Sequence, residues 1–448
     1  MEILKSGGNA MDAAISAAVL LGICEPHMTG IGGDCFVLYS RAGENEIRGL
    51  NGSGRAPLMA SADTLREQGL TSIADNDVHS VTLPGAVDAF CHLAETEGKL
   101  GLDQLLAPAI HYAELGVPVA PRVAQDWHRE ARRLSGAART FYLQDGRPPA
   151  IGTRFSAPGQ AEVLRRIARD GRDGFYSGEV AQDMLGTLGR LGGCHTPDDL
   201  ARVSCTAASP ISGHYKDVDL IEHPPNGQGA TAILMLNALA HFDIPAMEPA
   251  GAERAHIEAE VTKLAHDARN QIIADPDHTT RLEYMLSPDT AARLAGNVDP
   301  KAAQPAPVFE IGSEHKDTVY LTVVDRDQMA VSLIYSIYHG FGSGIASDKF
   351  GILMQNRGCG FTLDAGHPNE FQGGKRPLHT IIPGMLRKNG RVTMPFGVMG
   401  GAYQPTGHSR FLSNIVDFGY ALQQAIDAPR SFADAGELRV ERGYADAV

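Results

Sequence analysis

Asp317-Thr318-Val319-Tyr320-Leu321-Thr322-Val323-Val324-Asp325-Arg326-Asp327-Gln328 alternates β-branched and apolar positions, turns at Asp-Arg-Asp-Gln, and is followed by a second apolar run from Met329 to Ser336. That pattern predicts a β-hairpin. Upstream, Asn297 to Glu314 is rich in Pro, Ala and charge and has no strong periodicity, so it reads as a linker. Thr318 therefore stands where a charged stretch, Ser313-Glu314-His315-Lys316-Asp317, meets a buried strand. For an arbitrary Thr the ordinary reading is a strand start at the surface. The junction with a linker favours a chemical reading. A hydroxyl needs a base to become a nucleophile, and an N-terminal Thr carries its own, an α-amine of ordinary pKa about 7.7–8.0. Cutting the chain before Thr318 exposes that amine. The hydroxyl attacks the preceding carbonyl, an N-to-O acyl shift gives an ester, and water cleaves it.

The rest of the chain supplies layers for such a hairpin. Asn9 caps an apolar helix expected from Ala10 to Gly22, with Gly7-Gly8 before it and Pro26 beyond it. Its near-uniform apolarity predicts burial. Met28-Thr29-Gly30-Ile31-Gly32-Gly33-Asp34 is a glycine-dense turn into a strand over Cys35–Tyr39, and Asn51-Gly52-Ser53-Gly54-Arg55-Ala56-Pro57 is a loop carrying one Arg. Helical periodicity dominates from about Thr82 to Leu200. A strand over Val218–Glu222 feeds Pro224-Pro225-Asn226-Gly227-Gln228-Gly229 and a helix Ala230–His241, and another helix covers Glu253–Ile273. Short strands are expected around Ile352 and Ile381, and a strand-loop-helix unit over Arg391–Leu422. Paired strands flanked by helices predict an α+β, four-layer αββα architecture.

Composition bounds the function. With 448 residues, 43% hydrophobic, the chain can bury a large core; its net charge of -14 and lack of a long basic block argue against nucleic acid and anionic membranes as partners. The longest apolar run, Ala13 to Cys24, is too short for a bilayer, which needs about 20 residues. Six cysteines without a CxxC pair fit a reducing compartment, and no signal peptide is visible, so a cytoplasmic protein is expected. A signal preceding Met1, where the chain already stands inside a helix motif, would instead make it periplasmic. The histidines show no HExxH or comparable ligand spacing, so no metal is expected.

Several blocks together resemble the γ-glutamyltranspeptidase family of N-terminal-nucleophile hydrolases. They are Gly7-Gly8-Asn9-Ala10-Met11-Asp12-Ala13-Ala14, Gly30-Ile31-Gly32-Gly33, Val81-Thr82-Leu83-Pro84-Gly85-Ala86-Val87, Pro224 to Gly229, Asp317 to Asp327, Phe341-Gly342-Ser343-Gly344-Ile345 and Met399-Gly400-Gly401, in the family's order. The resemblance implies self-cleavage between Asp317 and Thr318 into an α segment, 1–317, and a β segment, 318–448, forming one intertwined fold as a heterodimer. It implies Thr318 as nucleophile, Ser336 as its hydrogen-bonding support, and Gly400-Gly401 as the oxyanion-binding amides. It implies no cofactor.

The substrate pocket departs from the family. The Asn and Asp that hold the α-amino group of glutamate align to Tyr338 and Gly360, and the paired serines that orient its carboxylate align to His379-Thr380. The carboxylate-clamping Arg is displaced, with Ser53 in the usual place and Arg55 two residues later. Without a carboxylate partner for an ammonium, a small carboxylate-bearing amide is the expected substrate, bound by Arg55, Tyr338, His379, Thr380 and, at the margin, Arg376. The Gly54-Arg55-Ala56-Pro57 and Lys375-Arg376-Pro377-Leu378-His379-Thr380 blocks look like those of oxamate amidohydrolases; cephalosporin-acylase-like members also resemble the chain. Alternatives stay open: Arg55 as a structural ion-pair residue, His379 as a satisfied loop histidine, Tyr338 as a core aromatic, a γ-glutamyl hydrolase or transferase, and a non-catalytic or unprocessed relative.

Overall fold

A computed structural model of the chain describes residues 1–305 and 318–445. Asp317, expected on the acyl side of the cut, lies outside them. Two antiparallel sheets form the centre. The first contains β1 (Asp34–Ser40), β2 (Arg48–Gly52), β5 (Thr206–Ala208), β8 (Val319–Val324) and β9 (Ala330–Ser336), in the order β5-β2-β1-β9-β8. The second contains β6 (Ile211–Tyr215), β7 (Val218–Glu222), β10 (Gly384–Lys388) and β11 (Arg391–Phe396), in the order β11-β10-β7-β6. Two small hairpins, β3 (Val117–Pro118) with β4 (Arg154–Phe155) and β12 (Ser431–Asp434) with β13 (Glu437–Val440), lie apart from these sheets.

Period-two alternation separates the faces of the first sheet. Val37, Tyr39, Val331, Leu333 and Tyr335 join a core cluster with Ala14, Ile15, Ala18 and Phe90 of the helices Ala10–Cys24 and Ala86–Thr96. The opposite face meets the second sheet. Leu38 and Ala330 pack with Ile221 and Met385, and Phe36 stacks on His223 at 4.2 Å. Behind the second sheet, Leu220, Ile382 and Leu386 pack on Ala232, Ile233 and Leu236 of the helix Gly229–Leu239 and Leu412 of the helix Gln404–Val416. The order is helix, sheet, sheet, helix, as the sequence predicts.

Both sheets mix strands from before residue 305 with strands from after 318. Neither segment can therefore complete its sheets alone.

Local signals placed most elements well. Asn9 accepts from the Asp12 N–H at 3.0 Å while its own N–H donates to Asp12 Oδ2, a reciprocal cap on the helix Ala10–Cys24. The hairpin falls at β8 and β9 as predicted. Two strands do not. Among the described residues the stretch around Ile352 makes an isolated bridge, Leu353 to Ala346, and Ile381 precedes β10, which begins at Gly384. Short apolar runs do not distinguish a strand from a buried loop; here Ile352 donates its N–H to Ser347 Oγ instead of a neighbouring strand.

Candidate active site

β8 begins one residue after Thr318. Pairing of Val319 with Tyr335 across the ladder brings Thr318 beside Ser336, the last residue of β9. Both side chains are buried, and Thr318 Oγ1 donates to Ser336 Oγ at 3.2 Å. On the other side of β9, Ser336 pairs with Asp34, the first residue of β1. The glycine turn before Asp34 is required by this approach, because a Cβ on Gly33 would meet the Ser336 carbonyl oxygen at 2.3 Å.

Ser336 also organises the chain just beyond β9. Its Oγ accepts from the Tyr338 N–H at 2.9 Å, and Tyr338 is held at φ +81°, a conformation that costs about 1–3 kcal/mol for a bulky residue and collects at functional sites. The guanidinium of Arg357 lies 3.6 Å from the Tyr338 ring centroid, and its Nη1 donates to Thr380 Oγ1 at 2.9 Å. Arg357 is a member of the site that sequence reasoning misses. No local signal marks it, since Asn356-Arg357-Gly358 reads as ordinary loop.

Gln228 closes the arrangement. Its Nε2 donates to the carbonyl oxygens of Thr380, at 2.6 Å, and Gly401, at 2.9 Å, while its Oε1 accepts from Arg269 Nη1 at 2.7 Å. Gly400 and Gly401 have φ of +121° and +57°, so this turn depends on glycine at its first position at least. Strand β11, which leads to it, touches the hairpin: Ser332 Oγ donates to Phe396 O at 3.3 Å, and a Cβ on Gly397 would strike the Tyr320 ring at 2.5 Å. Contacts thus run from Thr318 through Ser336, Tyr338, Arg357, Thr380 and Gln228 to Gly401.

A second cluster holds the other expected residues. Asp34 Oδ1 accepts from the N–H groups of Gly54 and Gly85 and from Gln355 Nε2, and Oδ2 faces His379 Nε2 at 3.2 Å. Burial raises the Asp34 carboxyl to about 6, against the pull of these donors and of Arg357. His379 is fully enclosed; burial, helped by the charge of Arg357 and by His223, holds its imidazole well below its ordinary value. A neutral imidazole donating Nε2–H to Asp34 satisfies both shifts. Arg55 is half-buried and donates to Asp275 Oδ2 at 3.0 Å and Gly374 O at 2.9 Å. It lines a cavity of about 210 Å³ with Ser53, Leu83, Asp199, Arg202 and Ser204, a lining that includes none of Thr318, Ser336, Tyr338 or Thr380. Arg376 is buried and donates to Ser53 O and Thr206 Oγ1. The structure therefore brings Thr318, Ser336, Tyr338, Thr380 and Gly401 into one network and sets Arg55, Arg376 and His379 on carboxylates and carbonyls of the scaffold.

The αββα sandwich, with Thr318 directly before the edge strand β8, has the fold of an N-terminal-nucleophile hydrolase. The chain belongs to the gamma-glutamyltranspeptidase family, whose description it matches over residues 1–448. It is 34% identical to the glutathione hydrolase-like YwrD proenzyme of Bacillus subtilis (strain 168), over 99% of this chain and 86% of that protein. It is 32% identical to the oxamate amidohydrolase proenzyme of Klebsiella pneumoniae, over 96% of this chain and 82% of that one. The crystal structure of cephalosporin acylase from Bacillus halodurans superposes with a TM-score of 0.91 at 37% identity, covering 99% of this chain and 83% of that chain.

Proposed function

We propose that this enzyme cuts itself before Thr318 and then hydrolyses the amide of a small carboxylate-bearing substrate, oxamate or a near analogue. The observation that carries the reading is the buried Thr318 hydroxyl bonded to Ser336 Oγ at the head of β8. In this reading the precursor's Thr318 hydroxyl attacks the Asp317 carbonyl, and the resulting ester is hydrolysed to give segments 1–317 and 318–448. The freed α-amine then takes the proton from Oγ1 as that oxygen attacks the substrate amide, and returns it to the leaving amine. Amides of the Gly400-Gly401 turn hold the tetrahedral oxyanion, and water releases the acid from the acyl-enzyme. Tyr338 and Thr380 border the substrate. Arg55 and His379, whose polar atoms are engaged by Asp275 and Asp34, would bind the substrate's carboxylate only by exchanging those partners. The names of relatives support amide hydrolysis broadly, and glutathione hydrolases among them keep a γ-glutamyl substrate as the second reading.

Intact-mass spectrometry of wild type beside Thr318→Ala tests the first step. Two fragments meeting at Asp317/Thr318 in the wild type and one whole chain in the variant are expected; a whole chain in both overturns the proposal. Assays with oxamate and with γ-glutamyl-p-nitroanilide then separate the two substrate readings.

A further inference from the structure

Arg357 is buried, 1% exposed, yet its Nε and Nη2 have no hydrogen-bond partner among the described residues. Only Nη1 is used, by Thr380 Oγ1. Nε–H and Nη2–H form one edge of the guanidinium, two parallel donors spaced to meet the two oxygens of a carboxylate. Leaving that edge empty on a buried cation is costly, because each unmade bond forfeits its desolvation penalty of about 1–3 kcal/mol and more where charge is involved.

The surroundings hold this edge in place without satisfying it. The Tyr338 ring lies 3.6 Å below the guanidinium and stabilises the cation through its face. Asp34 is near enough for the charge of Arg357 to favour its ionised form, but its oxygens are occupied by Gly54, Gly85, Gln355 and His379. Burial lowers the Arg357 guanidinium to about 10, which leaves it charged at neutral pH. One residue connects this group to the nucleophile: Tyr338, whose ring carries Arg357 and whose N–H is bonded to Ser336 Oγ, the acceptor of Thr318 Oγ1.

We propose that Arg357 is the specificity-determining residue of the site, taking the substrate's carboxylate on its Nε/Nη2 edge while Tyr338 and Thr380 fix the guanidinium plane. This rests on the amidohydrolase reading above and changes its carboxylate holder from Arg55 and His379 to Arg357. The substrate class is then an amide that also carries a carboxylate. A ligand presenting an ammonium at the same point would be repelled.

The test is calorimetric titration of oxalate, a dicarboxylate of the same size that cannot be hydrolysed, into purified wild type, Arg357→Lys and Arg357→Gln. Circular dichroism and intact mass establish that each variant is folded and processed as the wild type is. Expected is a loss of affinity of at least about 30-fold in Arg357→Gln and a smaller loss in Arg357→Lys, which keeps the charge without the fork. The kcat/KM preference for oxamate over neutral oxamide should collapse in parallel, chiefly through KM. A folded Arg357→Gln that binds oxalate as tightly as wild type overturns the proposal, as does a wild type that does not bind oxalate at millimolar concentration. If Arg357→Gln does not fold, wild-type affinity in Arg357→Lys overturns it instead. A wild type that binds oxalate through Arg357 but is never cut would sink the catalytic reading and leave the anion site standing.

Discussion

The carboxylate of Asp34 lies 3.2 Å from Nε2 of His379, although 345 residues separate them in the chain. Both are fully buried and both are pushed toward their neutral forms, so this contact is a hydrogen bond donated by a neutral imidazole and not an exposed ion pair. Its place beside Ser336, the β-ladder partner of Asp34, ties the second cluster to the strand that pairs with β8.

Stability should therefore carry a pH signature of Asp34. The folded protein binds this proton up to about pH 6, whereas an exposed Asp releases it near 3.8. The favourable contribution is complete below the lower value and is lost as pH rises through the upper one, about 3 kcal/mol in all. His379 acts the other way, adding stability as pH rises through its ordinary 6.5. Asp34→Asn keeps an oxygen for the three donors at Oδ1 and cannot titrate. Denaturant unfolding from pH 4 to 7 should show the wild type losing stability relative to Asp34→Asn; parallel curves would refute the shift.

Ser336→Ala should uncouple Thr318 from its setting. The variant removes both the acceptor of the Thr318 hydroxyl and that of the Tyr338 N–H at φ +81°. We expect precursor cleavage, followed by gel or mass spectrometry over hours, to slow by about 10- to 100-fold, with a stability loss of about 1–2 kcal/mol. Cleavage at the wild-type rate would show that Ser336 does not support the hydroxyl.

How much of the fold and site is legible in the sequence depends on the range of the interaction that fixes each residue. The β8–β9 hairpin that follows Thr318 and the Asn9 cap announce themselves within a few residues through β-branched alternation and side-chain-to-backbone bonding. Arg357 and Gln228 do not. Arg357 acquires its meaning from Tyr338 and Thr380, about twenty residues away on either side, and Gln228 from Thr380 and Gly401, more than 150 residues on. Gln228 is visible as part of a glycine-rich loop, but nothing local reveals that its amide joins two carbonyls. Ile352 shows the converse error: apolar neighbours suggest a strand, while Gly351 at φ +66° and the tight turn back onto Ser347 limit pairing to the isolated bridge of Leu353 with Ala346.

Gly400→Ala should damage catalysis more than folding. A φ of +121° is poorly accessible to alanine, while the nearest atoms its Cβ would meet are those of Tyr403, at 3.4 Å, so the penalty is conformational and not a clash. The turn would relax by rotating its amides. Loss of one oxyanion donor costs about 100- to 1000-fold in kcat, against about 1–3 kcal/mol of backbone strain. Single-turnover kinetics on oxamate would show the acylation rate falling by that factor with KM little changed; an unchanged rate would remove the Gly400-Gly401 turn from the oxyanion site.

Gln228→Leu should be the most disruptive of these substitutions, because one side chain serves three partners in a buried place. Leucine fills similar volume but deprives the carbonyls of Thr380 and Gly401 of a donor and the Arg269 guanidinium of an acceptor. Arg269 is itself 2% exposed, and burial already lowers it to about 10, so an unmade bond there is expensive. A loss of about 3 kcal/mol in denaturant unfolding is expected. Because Thr380 anchors Arg357 and Gly401 completes the glycine turn, turnover by the folded fraction should also fall by at least tenfold. Gln228→Glu separates the two effects: its carboxylate strengthens the Arg269 contact but repels both carbonyls, so it should recover stability without recovering activity. Equal recovery of both would show that Gln228 acts only as scaffold.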